Sequence, residues 1–219
     1  MRTRLFTGLF LVALASSFGQ TVVAAGGVGC CGPITEDARR LERKLDATGV
    51  DHLWLPGHHV DWRTGEPNSN AEDNGYGNKS HCSAFAASVA ASLGVPLLRP
   101  PQHSQVLLAN AQIGWLDGKE AGREGWRKVN GMREAQSLAN QGRFVVVAFK
   151  SSNPHKPGHI AIVRPSDKSQ DELERDGPQI IQAGSENATS TTVRMGFKHH
   201  SGAWPDGVSY YEYTRQVSP

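Results

Sequence analysis

Hydrophobic residues recur along this chain in two patterns, one typical of amphipathic helices and one of buried strands. Residues 34–47 and 132–141 show helical spacing, and Thr35 stands where the N-cap of the first helix is expected. Residues 142–149 and 157–163 are instead continuous apolar runs rich in β-branched residues, each preceded by or containing a glycine. Runs of this length and composition predict buried strands.

The remaining patterns complete the predicted order of elements. Apolar residues at 179–183 and the polar–aromatic alternation at 209–214 predict two more strands, and the charged residues 164–178 predict a loop. Residues 98–125 show no periodicity that favours either type of element. Helices followed by a series of neighbouring strands are typical of the α+β class rather than of a βαβ winding, so we expect one α+β domain.

The segment 80–96 predicts a helix that is buried on all sides. Ser80 is the expected N-cap, Gly94 the expected residue after the last turn, and the residues between them carry no charge. Cys82 therefore falls in the first turn, where unpaired N–H groups and the helix dipole favour a negative charge. We expect a lowered pKa for its thiol and hence a reactive thiolate.

The N-terminus has the three-part layout of a secretory signal peptide. Arg2 and Arg4 precede an apolar run at 5–15, and small residues lead to a cleavage pattern ending at Ala25. The apolar run is about half of the ~20 residues that a membrane-spanning helix requires. We therefore expect residues 1–25 to be removed and 26–219 to form one secreted or periplasmic domain without stable membrane insertion.

The charge balance argues against a nucleic-acid partner. The chain has 23 Lys+Arg and 21 Asp+Glu, and two of the basic residues belong to the expected signal peptide. A nearly neutral mature domain lacks the clustered basic excess that nucleic-acid binding requires. We expect it to be a monomer.

Three cysteines leave at least one thiol unpaired in an oxidising compartment. Cys30 and Cys31 are adjacent, and because vicinal pairing closes a strained ring we expect no bridge between them. The odd number alone favours Cys82 as a small buried hydrophobe. Its position at a helix start favours a nucleophile instead.

A nucleophilic thiol requires a base and a group that orients the base. His159 opens a predicted strand directly after a glycine, and alternation places it on the face opposite to Ile160. If the next strand pairs antiparallel, Gln182 becomes a cross-strand neighbour whose amide oxygen accepts the imidazole N–H. Glu186 and Asn187, a few residues further on, remain alternatives for this third position.

This ordered arrangement resembles the NlpC/P60 and CHAP clan of papain-like cysteine hydrolases. The matching motifs are Ser-His-Cys-Ser-Ala-Phe around Cys82, Gly-His-Ile-Ala-Ile-Val around His159 and Ile-Ile-Gln-Ala around Gln182. The resemblance covers residues 78–190, about half of the chain, and departs from the clan at His81, where Asp or Asn often precedes the nucleophile.

The resemblance implies a nucleophile helix packed on a small antiparallel sheet, with Cys82 as nucleophile, His159 as base and Gln182 as the orienting residue. It also implies cleavage of amide or peptide bonds in bacterial cell-wall peptidoglycan or its stem peptides, through a thioester acyl-enzyme. The alternative is a secreted binding or effector domain of the same fold that does not turn over, or that catalyses another acyl transfer.

Two other features of the sequence bear on the site. The adjacent histidine pairs at 58–59 and 199–200 lack the ligand spacing of a zinc site, and we expect neither a metal nor another cofactor. Trp62 and the Asn- and Gly-rich stretch 68–78 lead directly into the Cys82 segment, which places them at the border of the expected cleft.

Overall fold

A computed structural model describes residues 29–68 and 80–217 of the chain. The expected signal peptide at 1–25 and nearly all of the stretch 68–78 lie outside the described residues. Within the described ranges, no helix is both long enough and apolar enough to cross a membrane.

The fold is built on one antiparallel sheet of six strands in the order β1-β6-β2-β3-β4-β5. The strands are β1 (Trp126–Val129), β2 (Phe144–Phe149), β3 (His159–Val163), β4 (Gln179–Gln182), β5 (Ala188–Thr192) and β6 (Ser209–Tyr213). The two central strands, β2 and β3, carry almost only apolar side chains, so both of their faces must be covered.

Seven helices are described around this sheet: α1 (Glu36–Asp46), α2 (Cys82–Ser92), α3 (Leu108–Leu116), α4 (Lys119–Glu124), α5 (Met132–Asn140), α6 (Gln170–Asp176) and α7 (Val193–Gly196). Thr35 caps α1 as expected, since its side chain accepts a hydrogen bond from the N–H of Ala38. Helices packed around an antiparallel sheet confirm the α+β class.

The sheet separates two apolar clusters. One face packs against α2 and α3, and the apolar cluster on this side contains Phe85 of α2 with Ile160 and Ile162 of β3. The opposite face contains Ala161 and Val163 and packs against α5 and α7. The alternation expected for β3 is thus observed, and it assigns Ile160 to the α2 side.

Several sequence-based expectations about individual elements were wrong. Ser80 is not the N-cap of α2, because His81 occupies that position and makes no side-chain cap. The predicted loop 164–178 contains α6, which begins with a capping box formed by Ser169 and Glu172. Gly94 does follow α2 in the left-handed conformation, with φ +69°, as expected of a residue that ends a helix.

Cys30 and Cys31 form a disulfide, contrary to expectation. Their backbone is held at both polar groups: the Cys30 N–H donates to the carbonyl of Lys168 at 2.9 Å, and Arg133 donates to the Cys30 carbonyl at 3.4 Å. Because the segment is anchored to its neighbours, the two adjacent side chains are kept in place to pair. Cys82 is the free cysteine of the described residues.

A buried carboxylate joins three strands on one side of the sheet. Glu212 on β6 accepts from Arg127 on β1 at 2.6 Å and from Arg143, next to β2, at 2.7 Å, and its side chain is only 4% exposed. Removing one member of a buried ion pair leaves the opposite charge without compensation.

We therefore expect Glu212→Ala to lower the free energy of unfolding by about 2 kcal/mol or more. The two arginines are partly solvated, which limits the cost of leaving their charges unpaired. Urea unfolding of the purified protein measures this change. Glu36→Ala serves as the matched control, because Glu36 pairs with Arg43 in full contact with solvent. Equal effects of the two substitutions would contradict a structural role for the buried carboxylate.

Candidate active site

Cys82 is the first residue of α2, and its side chain is almost completely buried, with 3% exposure. The N–H groups of Ile160 and Ser83 and the hydroxyl of Ser80 favour the thiolate, but burial outweighs them and raises the pKa of the Cys82 thiol. The lowered pKa expected from the helix start alone was therefore wrong. In the described conformation the sulfur is a protonated thiol at neutral pH.

His159 and Gln182 form a direct hydrogen bond on the face of the sheet that carries α7. The distance from His159 Nε2 to Gln182 Oε1 is 2.9 Å, and both side chains are buried. Ile162 lies opposite Ile181 in the β3–β4 register, so Gln182 is a diagonal neighbour of His159 rather than the directly opposite residue. A glutamine is long enough to bridge the diagonal.

The other two candidates for the third position are engaged elsewhere. The carboxylate of Glu186 pairs with Lys198 at 2.8 Å, and the amide of Asn187 donates to the carbonyls of Val50 and Leu53. The backbone carbonyl of Glu186 nevertheless contributes, because it accepts from Gln182 Nε2 at 2.9 Å. This bond orients the Gln182 amide so that its oxygen, and not its nitrogen, faces the imidazole.

Two aromatic side chains enclose the imidazole of His159. Phe197 meets it edge-on at 4.6 Å between ring centroids, and His200 stacks on it at 5.0 Å with 15° between the ring planes. Burial lowers the pKa of His159 to about 4, although the bond to Gln182 raises it. Burial and the neighbouring His159 lower the pKa of His200 to about 4 as well. Both rings are neutral at pH 7.

Neither Phe197 nor His200 was recognised from the sequence. Both follow α7, a single short turn of helix in a segment without clear periodicity, and residues 199–200 were considered only as metal ligands. Nothing in the sequence near these two residues points to His159, which is about 40 residues earlier in the chain. Among the described residues, no group of three or more His, Cys, Asp or Glu side chains is placed to hold a metal ion.

Two glycines allow the close packing around the His159–Gln182 pair. A Cβ added at Gly184 would lie 3.4 Å from Cε1 of His159 and 3.3 Å from Nε2 of Gln182. A Cβ added at Gly196 would overlap the Gln182 amide oxygen. Backbone from the β4–β5 turn and from α7 can approach the pair only because both positions lack a side chain.

Cys82 reaches the same end of β3 from the other side of the strand. Its sulfur lies against the backbone N–H of Ile160, the residue that follows His159 in the chain. Strand alternation directs Ile160 towards α2 and the His159 ring towards α7. The structure thus joins His159 directly to Gln182, and it brings Cys82 to the backbone next to His159.

A small cavity of about 190 Å³ opens at Cys82. Part of its wall comes from the segment between α2 and α3, with Val106 63% exposed and Leu107 in the left-handed conformation at φ +54°. The residues that line the cavity are Ser80, Cys82, Ser83, Gln105, Val106, Leu107, Leu108, Ala109 and Pro157. The segment 105–107 therefore shares a cavity wall with the buried thiol.

Fold and site together define an α+β protein with a buried cysteine at a helix start and a hydrogen-bonded His–Gln pair at the end of the adjoining strand. No family model matches the chain. The chain is 38% identical over 86 residues to the peptidoglycan amidase Tse1 of Pseudomonas aeruginosa. The aligned residues make up 39% of this chain and 46% of that protein, so the chain spans about half of its relative's length.

The enclosure of His159 leads to a prediction about its titration. We expect His200→Ala to raise the pKa of His159 from about 4 towards 6.5, because water entering the vacated space stabilises the imidazolium. NMR titration of the His159 ring signals measures the shift. His52→Ala is the control, since His52 is exposed and should leave that pKa unchanged. An unchanged pKa in His200→Ala would contradict the role assigned to the stacked ring.

Proposed function

We propose that this chain is an exported cysteine amidase that cleaves an amide bond of bacterial peptidoglycan, and that its fold is papain-like, of the NlpC/P60 and CHAP type. The observation that carries the proposal is the His159–Gln182 hydrogen bond at the end of β3 to which α2 brings Cys82. The partial identity to a peptidoglycan amidase supports the substrate. The signal-peptide pattern of residues 1–25 supports export to the compartment that contains this polymer.

The proposed reaction is acyl transfer through a thioester. The Cys82 sulfur attacks the amide carbonyl carbon while its proton passes to His159, and His159 then protonates the departing amine as the C–N bond breaks. Water attacks the thioester with His159 again as base, and a carboxylate and the free thiol are released. Because Nε2 is bonded to Gln182, we assign the proton exchange to Nδ1.

Local features support the oxyanion donor and the neutral, oriented imidazole. The backbone N–H of Cys82 stands at the helix start and is a natural donor to the oxyanion of the tetrahedral intermediate. The pKa of about 4 keeps His159 neutral at pH 7, so its Nδ1 lone pair is free, but burial makes the ring a weak base in this enclosed conformation. Substrate enters through the cavity that Cys82 and the segment 105–107 line, where the hydrogen-bond donors around the sulfur favour the thiolate.

A second candidate is a secreted domain of this fold that binds peptidoglycan without cleaving it. The observation that favours it is the state of Cys82 itself: the thiol is 3% exposed, and burial raises its pKa. A cysteine retained only for packing would have these properties.

Digestion of purified peptidoglycan, with product masses recorded, separates the two candidates. We expect the wild-type protein to release fragments and Cys82→Ala to lose at least about a thousandfold in rate, because no other nucleophile is assigned. Both proteins should co-sediment with the polymer. Equal release by both would eliminate the cysteine mechanism, and binding without release by the wild type would favour the non-cleaving domain.

A second prediction concerns the orienting residue. Gln182→Ala removes the acceptor that fixes the His159 tautomer, and we expect kcat for peptidoglycan digestion to fall at least about tenfold. The matched control is Glu186→Ala, which removes a surface carboxylate but keeps the backbone carbonyl that orients Gln182. Loss of activity in Glu186→Ala with retention in Gln182→Ala would reverse the assignment.

A further inference from the structure

A second cavity, of about 500 Å³, opens on another side of α2. Its size is within the range of small-molecule binding sites. The side chains that give it polar character are Trp62, Arg63, Ser88, Ser92, Arg99 and Gln102. No acidic residue is among those that line it, so the pocket is positively charged.

Two guanidinium groups in this pocket share one indole ring. The Cζ atom of Arg63 lies 5.3 Å from the centroid of the Trp62 ring, and that of Arg99 lies 5.8 Å from it. Within the described ranges, no carboxylate forms a salt bridge with either arginine. Two like charges held next to each other repel, and a bound anion relieves that repulsion.

The backbone that carries Trp62 and Arg63 is anchored by two hydrogen bonds. Ser88 on α2 donates to the carbonyl of Arg63 at 2.5 Å, and the core residue Trp54 donates to the carbonyl of Trp62 at 3.1 Å. Trp54 in turn packs edge-on against Phe85 of α2. The cationic groups thus stand on a prepared surface, which reduces the entropy lost when a ligand binds.

We propose that Arg63 and Arg99 bind a carboxylate of the peptidoglycan stem peptide, as a subsite of the same enzyme; this inference rests on the proposed function. Guanidinium groups match the planar geometry of a carboxylate and bind it through two parallel hydrogen bonds. Stem peptides carry carboxylates on acidic and diamino-acid residues. The Trp62 ring provides a flat apolar surface for the adjoining chain atoms.

The pocket is separated from Cys82 along the helix axis by a distance that a short peptide covers. Ser88 is six residues after Cys82 in the same helix, which corresponds to about 9 Å along the helix axis. An extended peptide advances roughly 3.3 Å per residue, so about three residues cover this axial separation. One rigid helix therefore fixes the spacing between the proposed subsite and the proposed nucleophile.

The test compares binding to native peptidoglycan and to peptidoglycan whose carboxyl groups have been amidated with carbodiimide and ammonia. Binding is measured by co-sedimentation in the Cys82→Ala background, so that no polymer is consumed. We expect Arg63→Gln with Arg99→Gln to weaken binding to native polymer at least about tenfold. Amidation of the polymer should weaken binding by the parent protein to a similar extent, and it should have little further effect on binding by the double variant.

Arg39→Gln is the control. Arg39 is exposed on α1 and is not among the residues that line the pocket. Its substitution removes one positive charge, as each of the two pocket substitutions does. Thermal unfolding establishes that the double variant is folded; if it is not, Arg63→Gln alone gives the same comparison, since Arg63 is exposed. Three results would each overturn the subsite. They are equal binding by parent and variant, equal binding to native and amidated polymer, and no binding by the parent.

Two results distinguish loss of the carboxylate subsite from loss of the amidase activity. If the wild type digests peptidoglycan and the arginine variants in the active background raise KM no more than Arg39→Gln does, the enzyme stands and the subsite is eliminated. If arginine-dependent, carboxylate-dependent binding is found but the wild type releases nothing, the subsite stands and the amidase does not.

Discussion

Helix α2 has no charged side chain on any face, and most of the structure around the candidate site follows from the need to bury it. Ile160 and Ile162 of β3 cover one side, α3 packs on another, and the segment 105–107 lies over its first turn. Burial of apolar surface is the dominant favourable term in folding, so this packing also holds the start of the helix in place. The position of Cys82 and its near-complete burial both follow from the packing of α2.

Two opposing influences act on the pKa of the Cys82 thiol. The helix start and the Ile160 N–H supply hydrogen-bond donors that favour a thiolate, whereas removal from water disfavours any charge. In the described conformation the second influence is larger. Reactivity in the proposed mechanism therefore requires that a bound substrate offset this desolvation while the donors stay in place.

The opposite face of the sheet holds the second half of the site in a similar environment. The His159 ring is enclosed by Phe197 and His200 and hydrogen-bonded to Gln182. The enclosure disfavours the imidazolium, so the ring is neutral and a weak base in this conformation, and the amide of Gln182 restricts it to one orientation. The glycines at 184 and 196 are necessary for this arrangement, since any side chain there would enter the space of the pair.

The sequence by itself determined the α+β class, the helix whose first turn contains Cys82, the alternation along β3 and the proximity of Gln182 to His159. These depend on local patterning, on capping residues and on the two-residue period of a strand, all of which are encoded within short windows. Local propensity was equally sufficient for the Thr35 cap of α1.

Only the tertiary structure decided how each group is solvated and what packs on it. The raised pKa of Cys82, the stacking of His200 on His159 and the meeting of Arg63 and Arg99 at one indole all depend on residues far apart in the chain. Desolvation and ring stacking are properties of the packed surroundings, and no spacing of residues in a sequence specifies which distant segment will provide them.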